Sequence, residues 1–156
     1  MIINIATLSY GFGAVAYLVL AILLGTAWRG RLQGALLLSA TTVSVFWCAA
    51  NALYASTGTP ELLWLSALET VRDVLWLAFL LRLLGFSEGG RRELKWLAIG
   101  AWAVPLMLLI WLAVSRFAPA GLIGATAFIG GTAFGLLVLS VLGLALVEQL
   151  YRNTKR

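Results

Sequence analysis

An all-α, polytopic membrane helix bundle is the fold this sequence predicts, on three observations. Hydrophobic residues make up 62% of its 156 positions, and its mean hydropathy is +1.00, against about 45–50% apolar residues in soluble domains. The apolar residues gather into five segments of roughly 20 residues or more, each long enough to cross about 30 Å of hydrocarbon. Nine of the eleven Lys and Arg residues lie on or beside alternate connections between those segments. Backbone groups in lipid must pair within their own element. The segments lack the short alternating pattern of barrel strands, so they read as helices.

The first segment, residues 5–28, is too long for a signal-peptide core and has no basic side chain ahead of it, so it is expected to stay as a helix. The second, 32–56, holds Cys48, which reads as a small apolar filler, and the polar Asn51. The third, 62–84, carries most of the charge found inside any segment. Pro60 precedes it, where a missing N–H costs nothing. The fourth, 94–115, contains Pro105, which predicts a kink. The fifth, 121–147, follows Pro119 and places Gly124, Ala127, Gly131 and Gly135 on one face. Gly131 and Gly135 form a GxxxG pair that lets helix backbones approach closely, more readily within one bundle than between two copies. The connections are short, so consecutive helices are antiparallel neighbours.

Orientation follows from the basic residues. Arg29, Arg31, Arg82, Arg91, Arg92 and Lys95 flank the first and third connections, and Arg152, Lys155 and Arg156 lie in the tail, whereas the other two connections offer only Arg116. By the positive-inside rule the amino terminus faces outside and the carboxyl terminus faces the cytoplasm. Trp28, Trp96 and Tyr151 fall near the inner boundary and Tyr10, Tyr54, Trp64 and Trp111 near the outer one, as aromatic belts do. The net charge of +5 sits where anionic head groups lie. Membrane lipid is therefore the expected partner, and nucleic acid is not.

Composition also excludes chemistry. The chain has no histidine, which removes imidazole metal sites, Ser-His and Cys-His catalytic pairs and a phospho-acceptor histidine within these residues. A single cysteine allows no internal disulfide and no thiol pair for zinc. No catalytic residue, metal ligand or cofactor site is expected in these 156 residues.

The informative chemistry is in the third segment. On a helix, Glu69, Arg72, Asp73 and Trp76 share an arc of about 100°. A charge near mid-bilayer costs about 2.5–3.5 kcal/mol even on the lenient insertion scale, so these groups must pair, face the bundle interior or reach water. Arg72 can neutralise one carboxylate and leaves the other needing a proton or a donor, for which Asn51 is the candidate. A structural clamp, a switch in which the spare carboxylate changes partner or protonation, and a transported-ion site all fit this pattern. Arg82 lies on another face near the inner boundary and reads as a snorkelling cation.

The run Val147–Glu148–Gln149–Leu150–Tyr151–Arg152–Asn153–Thr154 resembles a distinctive stretch in the membrane-embedded amino-terminal region of exosortase-associated, PEP-CTERM-system sensor histidine kinases of the PrsK type. Ser9–Tyr10–Gly11, Trp28–Arg29–Gly30–Arg31, Leu68–Glu69 through Arg72–Asp73 to Trp76, and Phe79 to Leu84 are similar to that family in order and spacing. The likeness implies that residues 1–156 are the sensor region of a longer protein in the bacterial inner membrane. The rest of such a protein would add further helices, a GAF-like domain and an ATP- and magnesium-dependent histidine kinase core. It implies a homodimer, phosphoryl transfer to a cognate response regulator, and control of exopolysaccharide and PEP-CTERM sorting genes. Glu148, Gln149, Tyr151, Arg152 and Asn153 would then form the output connection. Outside connections of about five residues leave no room for a soluble ligand-binding domain, so a signal would be read in the bilayer or at its surface.

The alternative is a small five-helix membrane carrier or membrane-complex assembly subunit. The discriminating observation is the reading frame beyond Arg156: continuation into helices and a kinase favours the sensor, and a stop codon favours the carrier or subunit.

Overall fold

A computed structural model describes residues 4–28, 30–84, 92–117 and 125–154. Its elements are five helices: α1 (Ile5–Ala27), α2 (Leu32–Thr57), α3 (Leu62–Leu83), α4 (Arg92–Phe117) and α5 (Ala125–Thr154). The protein is all-α. Three stretches, Ile5–Ala27, Leu32–Thr57 and Ala127–Arg152, are long and apolar enough to cross a membrane, and Trp102–Ser115 in α4 is a shorter apolar stretch. Those three make this a multi-pass membrane protein. The five expected spans are therefore of unequal quality: α3 is a continuous helix of 22 residues, but its apolar run is interrupted by Glu69, Arg72, Asp73 and Arg82, whose transfer into lipid opposes that of the leucines around them.

Local chemistry sets the helix ends. Asn4 caps α1, its side chain accepting from the Ala6 N–H at 3.1 Å and so satisfying one of the four orphan donors of the first turn. Gly58 ends α2 in the left-handed region at φ 73, its N–H returning to the Tyr54 carbonyl at 2.8 Å. Any other residue would strain that cap. Gly30, at φ 75, supplies the left-handed residue between α1 and α2.

Two of the expected segments are longer as helices. The fourth helix extends to Arg92 and Phe117 rather than 94–115, taking charged and aromatic residues expected in the connections. The fifth does not stop at Val147 but continues to Thr154. Nothing in Glu148–Thr154 is Pro or Gly, so no residue there breaks the i to i−4 ladder.

The chain divides into two compact units, Met1–Trp76 and Leu77–Arg156, with α3 running across the boundary. In the first unit, α1 and α2 pack closely along their lengths. The face that α2 buries is small and hydroxylic: Ala40, Thr41, Ser44 and Cys48, at helical spacing. Buried hydroxyls in such a helix need acceptors. Thr41 and Ser44 find them one turn back, Ser44 Oγ donating to the Ala40 carbonyl at 2.8 Å. Cys48 is 3% exposed, and its sulfur lies 3.2 Å from where a Cβ on Gly13 would stand. The glycine is what lets α1 come in at that height.

In the second unit the core is leucine. Leu77, Leu81 and Leu84 recur at i, i+4 and i+7 and cluster with Leu108 of α4 and with Leu139 and Leu146 of α5. Pro105 is fully buried in α4. Gly131 of α5 lies against Trp111, and a Cβ on Gly135 would run into the side chain of Leu108. Those two glycines of the small-residue face therefore meet α4, whereas Ala127 is exposed and Gly124 lies outside the described residues.

Candidate functional site: an ion triad on an aromatic platform

The first unit contains the charged cluster. Glu69, Arg72, Asp73 and Trp76 sit on consecutive turns of α3, and all four are half-buried, as a common arc facing protein requires. On the same helix the buried Thr70 and Ser66 hydroxyls are satisfied by donating to the Ser66 and Leu62 carbonyls at 2.8 and 3.0 Å.

Arg72 does not treat its two carboxylates alike. Its Nε and Nη2 both donate to Asp73 Oδ1, at 3.0 and 2.8 Å, a forked charge-assisted contact. Glu69 Oε1 stands 3.7 Å from Nη2, an ion pair beyond hydrogen-bond reach. Asp73 is therefore the carboxylate that fixes the guanidinium, and Glu69 is the loosely held one. With one cation between two acids, Glu69 is the spare carboxylate.

The other face of the guanidinium is covered by aromatic carbon. Its central carbon lies 4.0 Å from the centre of the Trp47 ring on α2, within the range where a ring quadrupole attracts a cation. Trp47 in turn meets Tyr10 of α1 edge-on, ring centres 5.6 Å apart at 83°. One turn further along α3, Trp76 Nε1 donates to Ser44 Oγ on α2 at 3.3 Å. Side chains from all three helices of this unit thus converge on Trp47 and Arg72. Asn51, the expected neutral partner, donates its amide to the Trp47 carbonyl of its own helix at 2.8 Å.

Trp47, Tyr10 and Ser44 are members of this site that the sequence reading did not assign to it. A signal for Trp47 existed: it is the only tryptophan of α2 and stands inside a membrane segment rather than at its end, where tryptophans normally collect. Ser44 carried none, because a serine that back-bonds its own helix looks the same in sequence as one that also accepts from another.

At the far end of the chain, the residues expected to form an output connection are helical. Glu148 and Arg152 pair at 2.7 Å across one turn, both well exposed, a contact worth a few tenths of a kcal/mol to the helix. Gln149 is half-buried, Tyr151 is exposed, and Asn153 falls within α5.

The triad offers fixed charge, an aromatic cover and hydrogen bonding. Among the described residues no three His, Cys, Asp or Glu side chains gather in a way that could hold a metal ion. No family model, no curated protein and no solved structure matches this chain.

Proposed function

We propose that this chain is the membrane-embedded signal-input region of a two-component histidine kinase, of the kind that serves exopolysaccharide and PEP-CTERM sorting genes, in a bacterial inner membrane. In this reading five helices span the bilayer, with the amino terminus outside and the carboxyl terminus in the cytoplasm. The resemblance over Val147–Thr154 suggests the class. The observation that carries the proposal is that α5 passes without interruption from its apolar stretch through Glu148–Thr154. A helix crossing the membrane surface without a break moves as one body, so a displacement or rotation within the bilayer reaches its cytoplasmic end. The ion triad supports an input role: Asp73 holds Arg72, while Glu69 can exchange partners without unseating it. ATP, magnesium, the homodimer and the response regulator belong to the kinase part that this reading places beyond Arg156.

The test uses the full-length protein in its membrane. One to four alanines are inserted between Val147 and Glu148, each rotating the downstream helix by about 100°. Kinase output should vary with the number inserted and return toward the parental level near four, which is close to one full turn. Output that falls by the same amount for every insertion, or an open reading frame that closes at Arg156, would count against the proposal.

A further inference from the structure

We infer that the turn between α1 and α2 is a binding site for the head group of an anionic phospholipid. A cavity of about 290 Å³ lies there, lined by Leu24, Ala27, Trp28, Arg31, Gln33 and Gly34. Its wall is built in. The Trp28 indole bridges the turn by donating to the Arg31 carbonyl at 3.3 Å, and it lies so close over Gly34 that a Cβ there would stand 3.0 Å from the ring. Glycine at 34 therefore seats the indole, and Gly30, in its left-handed conformation, closes the turn.

Two features choose the occupant. The first is level: Ile5–Ala27 and Leu32–Thr57, both able to span a membrane, meet at this turn, so the cavity lies where hydrocarbon gives way to head groups. The second is charge. Arg31 lines the cavity, Arg29 lies near it in sequence, and no Asp or Glu occurs in the chain before Glu61, so this stretch of sequence brings cations with no carboxylate of its own. The lining combines the apolar Leu24 and Ala27 with Arg31 and Gln33, residue types whose side chains can donate N–H bonds to an oxyanion. An amphiphile with an acyl chain and a phosphodiester satisfies both halves. The shared chemistry with free phosphate is the oxyanion; the apolar lining is what selects the lipid. This inference is independent of any kinase output.

Native mass spectrometry of the intact chain in detergent, titrated with phosphatidylglycerol or phosphatidylcholine, tests it. Phosphatidylglycerol should bind about five-fold tighter or more, the size of one basic contact at an anionic surface. Arg31→Gln should remove most of that preference. Ala27→Phe, which puts an aromatic ring on the cavity lining and keeps every charge, should weaken it as well, while Arg82→Gln should leave it intact. Helix content by circular dichroism is checked for each variant. Preference retained in either cavity variant, or lost equally in Arg82→Gln, would overturn the site in favour of diffuse surface attraction. Displacement of phosphatidylglycerol by millimolar inorganic phosphate would overturn the lipid as its ligand.

Discussion

At the scale of single residues, the unequal grip of Arg72 on its two carboxylates leads to the sharpest expectations. Glu69→Gln removes a charge held only at 3.7 Å, whereas Asp73→Asn removes the oxygen charge that receives two donors. Hydrogen bonds to charged groups contribute about 1.5–3 kcal/mol and exposed or distant pairs less than about 1. Asp73→Asn should therefore lower thermal stability in detergent clearly more than Glu69→Gln does; the reverse order would show that Glu69 is the anchor. Arg72→Leu goes further, because it strands both acids and uncovers Trp47. For a fully buried pair, removing one partner costs roughly 3–5 kcal/mol, and the one-fifth exposure of the Arg72 side chain places this case at or below the lower end. The double change Glu69→Gln with Arg72→Gln leaves fewer uncompensated charges and should melt higher than Arg72→Leu. Equal melting temperatures would mean the triad is not internally paired.

At the scale of elements, close approach of helices is decided by where glycine stands. Gly135 faces Leu108 with no room for a Cβ, whereas nothing lies within 4 Å of a Cβ on Gly130. Gly135→Leu should destabilise the α4–α5 pair by about 1–3 kcal/mol, as overpacking does. Gly130→Ala should be neutral or stabilise by up to about 1 kcal/mol, as it replaces glycine in a helix. Thermal melts of the two purified variants decide it, and similar losses would place α5 in some other register against α4. Similar reasoning applies to the small residues that α2 buries: Cys48 fits against Gly13 of α1, Ser44 meets Trp76 of α3, and the buried hydroxyls of Thr41 and Ser44 bond their own backbone. The extension of α5 through Glu148–Thr154 is likewise an element-level fact. Its sequence, with no proline, no glycine and an i, i+4 Glu–Arg pair, favoured a helix, but the hydropathy that marked the span stopped at Val147.

At the scale of the whole molecule, the distribution of basic residues bears on orientation. A reporter inserted at Gly58 should be active outside the membrane, and one fused at Arg156 should be active in the cytoplasm; the opposite pattern would remove both the orientation and the sensor reading. The sequence by itself determined the all-α class, the membrane setting and the approximate extent of the helices. Those depend on properties summed over some 20 consecutive residues, and averages over such lengths are legible one chain position at a time. It also marked Glu69, Arg72 and Asp73, because charge inside an apolar segment demands a partner whatever the fold. Only tertiary structure decided that Trp47, met edge-on by Tyr10, covers Arg72, that Ser44 accepts from Trp76, and that Gly131 and Gly135 meet Trp111 and Leu108. Each of these depends on the height and rotation at which two helices pack. Those variables are set by the shapes of residues far apart in the chain, and no local pattern encodes them.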